Sequence, residues 1–173
     1  ELEQATQDNM LDVLNGPLFL PYLSGERTPH NNPNASGAFF GLTHSSSQAA
    51  LTHSVLEGVT FGLADGVDTL HASGVEVDEI TLIGGGAKSP YWRQLIADVL
   101  QRPVTYRQGG DVGPGLGAAR LAQLATQPNT PIEQICPQPT LDSVYQPNRD
   151  KADIYTTRRA TFSALYQATS KFI

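Results

Sequence analysis

The chain changes period several times, and each change predicts a new element. Leu18–Leu23 is apolar nearly throughout and reads as a buried strand despite Pro21; Gly37–Thr43 reads as a second strand. Ser24–Ser36 between them is polar and proline-bearing, hence a loop. Over Gln48–Ala72 the residues Leu51, Val55, Val59, Leu63, Val67 and Leu70 lie along one side of a predicted helix. Gly58, Gly62 and Gly66 form a second stripe on it. An interior glycine costs about 1 kcal/mol relative to alanine, so this stripe is expected to be a packing surface. Asp150–Phe172 is helical again, with Tyr155, Phe162, Leu165, Tyr166, Thr169 and Phe172 on one face. Ala5–Leu14 is weakly helical. Gln127–Arg149 holds five of the twelve prolines, lacks a sustained period, and reads as an irregular surface connection.

The centre of the chain is more informative. Ile80, Leu82 and Ile83 form a short apolar run expected to be a buried strand, and Gly84, Gly85 and Gly86 stop it. Ser89 is a good N-cap and Pro90 suits the first helical position. Trp92, Leu95, Ile96, Val99 and Leu100 then share one helix face, and Pro103 prevents continuation. Such a strand, glycine turn and helix favour an anionic ligand. Glycines let backbone N–H groups approach without a Cβ in the way, and the helix start attracts phosphate. The competing reading is a tight turn with no ligand. After a short strand over Pro103–Tyr106 comes a second glycine loop, Gly109–Gly117. Asp111 is placed there to cap a helix reaching about Thr126, with Pro114 in its first turn. Gly113, Gly115 and Gly117 keep that helix start slim, for a ligand or for close packing.

Two nucleotide folds can be compared directly. Lys88–Ser89 invites a P-loop, but Ala87 and Leu82 stand where its glycines must be, so that reading fails. A dinucleotide fingerprint, Gly84-x-Gly86-x-x-Ser89, lacks its last glycine and the acidic residue on the next strand. Arg107 stands near that place and suits a 2′-phosphate, which keeps an NADP-binding Rossmann-type domain as an alternative.

A third comparison is more specific. Ile80–Ser89 is similar to the adenosine motif of actin-like ATPases. Gly109–Ala119 resembles the loop and helix start that close the same site in sugar kinases of the FGGY family. Upstream, Leu18–Pro33 and Gly37–His44 resemble the xylulokinase branch of that family. Gly37–Glu57 is similar to the second FGGY signature, with Ala50 where the pattern prefers a polar or acidic residue. The resemblance implies an α/β domain of ribonuclease H-like (actin-like ATPase) fold, a mixed sheet with flanking helices. Residues 1–173 would be one domain, the C-terminal nucleotide-binding part of a kinase whose N-terminal domain is absent. It implies ATP/ADP with Mg²⁺ as cofactor, held at Gly84, Gly85, Gly86, Ala87, Ser89, Pro90 and Gly113. Glu26 and Arg27, with His30 nearby, would face the sugar cleft. The implied reaction carries the ATP γ-phosphoryl group to d-xylulose. Its catalytic aspartate would come from the N-terminal domain, so this chain alone is expected to be inactive. Ser89-Pro90-Tyr91 stands where related kinases often place an asparagine against adenine.

Composition narrows the partners. Net charge is −6 without a Lys/Arg cluster, which argues against nucleic acid and acidic membranes. The single cysteine, Cys136, excludes an intramolecular disulfide and fits a reducing compartment. No apolar run approaches the roughly 20 residues that span a bilayer. The expected location is the cytoplasm. His30, His44, His53 and His71 lack metal-ligand spacing and read as surface or capping residues. Asp65 and Asp68 share a helix face, where a solvated pair is the expectation and a Mg²⁺ site the alternative. A non-enzymatic actin-like assembly module, or a homo-oligomer, is the other reading that a splayed-open domain would allow.

Overall fold

The structure, a computed structural model, describes residues 14–110 and 113–172. The weak helix expected over Ala5–Leu14 therefore lies outside the described residues except at Leu14, and so does the expected cap Asp111. Two small sheets form. Strand β1 (Leu18–Leu20) pairs antiparallel with β2 (Ala38–Phe40), joining Leu18 to Phe40 and Leu20 to Ala38. Strand β3 (Ile80–Leu82) runs parallel to β4 (Val104–Arg107), and β5 (Leu141–Tyr145) runs antiparallel to β4. The order β3-β4-β5 makes this second sheet mixed.

Helix α1 is Gln48–Ala72, α2 is Pro90–Leu100, α3 is Pro114–Thr126, α4 is Ile132–Ile135, and α5 is Ala152–Thr169. Ser47 caps α1 by accepting from the Ala50 N–H at 3.1 Å. Among the described residues no helix is long and apolar enough to cross a membrane.

Several expectations differ from the observed fold. The 127–149 stretch is not irregular throughout, because it contains α4 and β5. Strand β5 escaped notice because its inward positions are Ser143 and Tyr145, while Leu141 and Val144 stay exposed. Arg93 Nη1 reaches toward Ser143 Oγ at 3.4 Å, so that inward slot is polar. On α1 the buried face is also not the predicted one. Val55, Leu63 and Leu70 are exposed, whereas His53, Ser54, Glu57, Thr60, Phe61 and Ala64 are buried.

The reason is a polar pair inside the core. Arg158 on α5 grips both carboxylate oxygens of Glu57 at 2.6 Å, and it also donates to the Leu14 carbonyl at 2.7 Å. A buried acid paired in this bidentate way is tolerated where a lone one is not. His53 is therefore a core residue, correcting its surface assignment: its Nδ1 lies 2.6 Å from the Tyr91 hydroxyl. The glycine stripe meets its expectation at one position only. A Cβ on Gly58 would collide with the Phe19 carbonyl of β1, whereas Gly62 and Gly66 face open space.

The main core gathers Leu18, Leu20, Tyr22, Phe61, Leu95 and Phe162 between β1, α1, α2 and α5. A second cluster, Ile96, Ala97 and Val104, lies between α2 and the mixed sheet. Trp92 packs against both clusters.

Candidate functional site

The glycine turn sits at the carboxyl end of β3, and the second glycine loop at the carboxyl end of β4. Gly84 has φ +93°, a conformation that side chains disfavour, and this swings the chain out of the strand. Gly85–Lys88 then makes one 3₁₀ turn, closed by Ala87 N–H to Gly84 O and Ser89 N–H to Gly86 O, each 3.1 Å. Ser89 Oγ accepts from the Trp92 N–H at 3.0 Å, and Pro90 opens α2, as the sequence predicts. The two loops are tied together: the Gly84 N–H donates to the Gly110 carbonyl at 2.7 Å.

A cleft of about 280 Å³ opens beside this junction, lined by Ile83, Gly109, Gly110, Gly113, Gly117 and Arg120 among others. Ile83, expected in a buried strand, instead stands 69% exposed on its rim. The glycines divide into two kinds here. Among the described residues, chain neighbours and the helix's own backbone aside, nothing lies within 4 Å of where a Cβ would stand on Gly84, Gly85, Gly113, Gly115 or Gly117. Gly110 is different, its Cβ position being 3.0 Å from the Arg107 carbonyl. So is Gly86, where a Cβ would run into the Trp92 ring. Helix α3 has no buried residue at all, so close packing does not account for its slim start. Gly113 holds its N-cap position, at φ +62°.

Three consecutive side chains at the start of α2, Tyr91, Trp92 and Arg93, tie the turn and that helix to the rest of the fold. Arg93 is buried and donates from Nε to the Ala87 carbonyl, with its guanidinium 3.5 Å from the centre of the Tyr106 ring. Trp92 lies under Gly86 and donates from Nε1 to Thr60 Oγ1 at 2.9 Å. Tyr91 is linked to His53 on α1. None of these supports was identified from sequence; the apolar period showed Trp92 as a core residue and nothing more.

The other predicted site residues fall elsewhere. Ala87 is buried beneath the turn. Pro90 borders a separate cavity of about 240 Å³ shared with Tyr91, Tyr145, Lys151 and Tyr155. Glu26 accepts from the Thr28 N–H at 3.0 Å, and Arg27 is exposed. Their loop is held on α5, where His30 stacks on Tyr166 at 3.6 Å and Asn32 donates to the Tyr166 hydroxyl at 3.2 Å.

Arg107 is already engaged, at 2.9 Å from Glu79 and 3.1 Å from the Pro139 carbonyl. Its bond, with those of Thr105 and Thr81, holds the exposed Glu79 carboxyl below the usual range. This leaves it poorly placed for a 2′-phosphate. Asp65 and Asp68 both bind Arg159, at 2.5 and 2.6 Å. Among the described residues no group of three or more His, Cys, Asp and Glu could hold a metal ion.

Known proteins resemble this chain in both sequence and fold. The family described as the FGGY family of carbohydrate kinases, C-terminal domain, matches residues 1–126. A xylulose kinase of Escherichia coli strain K12 is 54% identical over 149 residues, which are 86% of this chain and 31% of that protein. A xylulose kinase of Klebsiella pneumoniae is 48% identical over 87% of this chain and 31% of its own length. Among solved structures, a xyloylose kinase from Brucella ovis superposes with a TM-score of 0.84 at 36% identity, covering 99% of this chain and 35% of that one. A gluconate kinase from Lactobacillus acidophilus gives 0.78 at 30%, over 99% and 35%. The chain thus spans about a third of the length of these relatives. It has the ribonuclease H-like, actin-like ATPase architecture of those kinases. With most of its length matched and its fold shared, this chain belongs to the C-terminal domain of the FGGY family of carbohydrate kinases.

Proposed function

We propose that this chain is the nucleotide-holding part of an ATP-dependent sugar kinase acting on d-xylulose. The observation that carries the reading is the pair of glycine loops joined by the Gly84–Gly110 hydrogen bond. Backbone around Gly84, Gly85, Gly113, Gly115 and Gly117 is open where side chains would stand. A nucleotide fits such a cradle, because backbone N–H groups there approach phosphate without obstruction. Identity to xylulose kinases supports the sugar. The fold alone does not choose it, since a gluconate kinase superposes about as well as several xylulose kinases.

In this reading Gly84, Gly85 and Gly113 border the adenosine and α-phosphate, and Ile83 and Leu116 offer apolar walls. ATP supplies the phosphoryl group, with Mg²⁺ carried on its phosphates. This chain's residues bind and orient the nucleotide, and positioning is most of what phosphoryl transfer demands of a protein. Ser89 serves α2 as its cap, Ala87 and Gly86 serve the seating of the turn, and Glu26 and Arg27 are placed in the cleft toward the sugar. Partner segments of the full-length kinase would complete that cleft, in the reducing, ATP-rich cytoplasm.

Calorimetric titration tests the reading. Mg-ADP should bind with a dissociation constant on the order of 0.1–1 mM, about −4 to −5.5 kcal/mol, and NADPH should not. Equal binding of both, or of NADPH alone, would overturn it.

A further inference from the structure

The glycine turn rests on an aromatic ring that is fixed from another helix. The Trp92 ring occupies the space where a Gly86 Cβ would stand, so the turn's backbone path follows the ring. The ring in turn has one polar anchor. Thr60 is fully buried on α1, and its hydroxyl proton goes to the Leu56 carbonyl at 2.7 Å. With the proton so committed, an oxygen lone pair is left for the indole N–H, 2.9 Å away. The arrangement is directional: moving the hydroxyl moves the indole, and moving the indole moves Gly86.

A second point of attachment lies one residue earlier. His53, seven positions before Thr60 and so on the same side of α1, meets the Tyr91 hydroxyl. The first turn of α2 is therefore held on α1 at two adjacent residues. Arg93 fixes Ala87 from the sheet side, with its guanidinium over the Tyr106 ring and toward Ser143.

We propose that Thr60 is a positioning residue for nucleotide binding, acting through the Trp92 indole on the backbone of Gly84–Gly86. The inference rests on the reading that this turn holds the nucleotide. Removing the anchor frees the ring to shift, and the turn then has to be reordered when the ligand binds. Thr60→Val keeps the shape and removes the acceptor. It should weaken Mg-ADP binding about three- to tenfold, the size of one hydrogen bond.

Trp92 is the only tryptophan in the chain, so its emission reports on the anchor directly. The experiment uses the whole chain: calorimetry with Mg-ADP, thermal melting, and tryptophan fluorescence with and without ligand. Thr60→Val should shift the emission and weaken binding, and Thr60→Ser should restore both. Ser54→Ala serves as a control, because its buried hydroxyl donates to the Leu51 carbonyl of its own helix. It should lower the melting temperature with affinity unchanged. Should Thr60→Val fail to fold, Trp92→Phe removes the N–H together with the outer ring atoms nearest Gly86 and is expected to lose at least the same affinity.

A Thr60→Val or Trp92→Phe protein that melts early yet binds Mg-ADP like wild type would overturn the inference and leave the nucleotide reading intact. Wild-type protein that binds no Mg-ADP would overturn both.

Discussion

Glu57 on α1 and Arg158 on α5 are 101 residues apart in sequence and share two hydrogen bonds of 2.6 Å in the core. Burial alone would raise the Glu57 pKa. The two hydrogen bonds of Arg158, with the His53 ring 3.7 Å away, outweigh it and hold the carboxyl below its ordinary 4.5. A lowered folded pKa contributes stability that is complete above the unfolded value and is lost as pH falls through the folded one. The melting temperature is therefore expected to fall on acidification below about 4.5. Glu57→Gln should flatten that acid limb and destabilise at neutral pH by about 3–5 kcal/mol, since Arg158 stays buried without its partner. Melts followed by circular dichroism across pH check this. Equal acid slopes in the two proteins would refute it.

The adjacent glycines of the turn should respond differently to a side chain. At Gly85 the backbone is not left-handed and space is open, so Gly85→Val should leave the melting temperature within about 2 °C. It should nonetheless remove Mg-ADP binding by filling the approach. Gly86→Val pushes against Trp92 and should lose both stability and binding. A Gly85→Val protein that binds like wild type would place the nucleotide elsewhere.

Helix α1 turns an apolar side outward, with Val55 36%, Leu63 46% and Leu70 46% exposed. Gly62 and Gly66 leave that side smooth. Contiguous apolar surface of this kind marks an interaction site. Concentration-dependent self-association is expected in sedimentation at tens of micromolar, and Leu63→Lys should abolish it. A wild-type monomer across that range would contradict the expectation.

What could be read from sequence was what is local. Strand, three glycines, Ser89 cap and Pro90 follow one another within a few residues, and each acts on its near neighbours. Part of what holds that turn is not local. Arg93 reaches only six residues back, to Ala87, but Trp92 reaching across to Thr60 and Tyr91 meeting His53 depend on how helices dock. Arg158 had the same effect on α1. It drew Glu57 and His53 inward and left Val55 and Leu63 outside, the reverse of what apolar spacing predicts. Strand β5 was hidden because its inward positions are Ser143 and Tyr145 rather than an apolar alternation.

The chain by itself is expected to transfer no phosphoryl group. Sugar phosphorylation needs a base near the attacking hydroxyl, and a carboxylate is the usual group for it. Several described carboxylates are already engaged, Glu26 among them by the Thr28 N–H at 3.0 Å. Asp65 and Asp68 bind Arg159. Asp98 is 1% exposed and is held by Gln94 at 2.7 Å, the Asn148 N–H at 2.9 Å and Lys151 at 3.0 Å. Among the described residues lining the glycine cleft, none is acidic. Losing general-base assistance costs about 10²–10⁴-fold. The two thirds of its relatives' length that this chain does not cover would supply orientation worth several kcal/mol more. A coupled assay of ADP release with ATP and d-xylulose should therefore stay at background, while Mg-ADP still binds in calorimetry. Robust d-xylulose-dependent release would put the base within these 173 residues. Asp111, beside the second glycine loop, would then be the first position to substitute, ahead of the two aspartates that Arg159 holds.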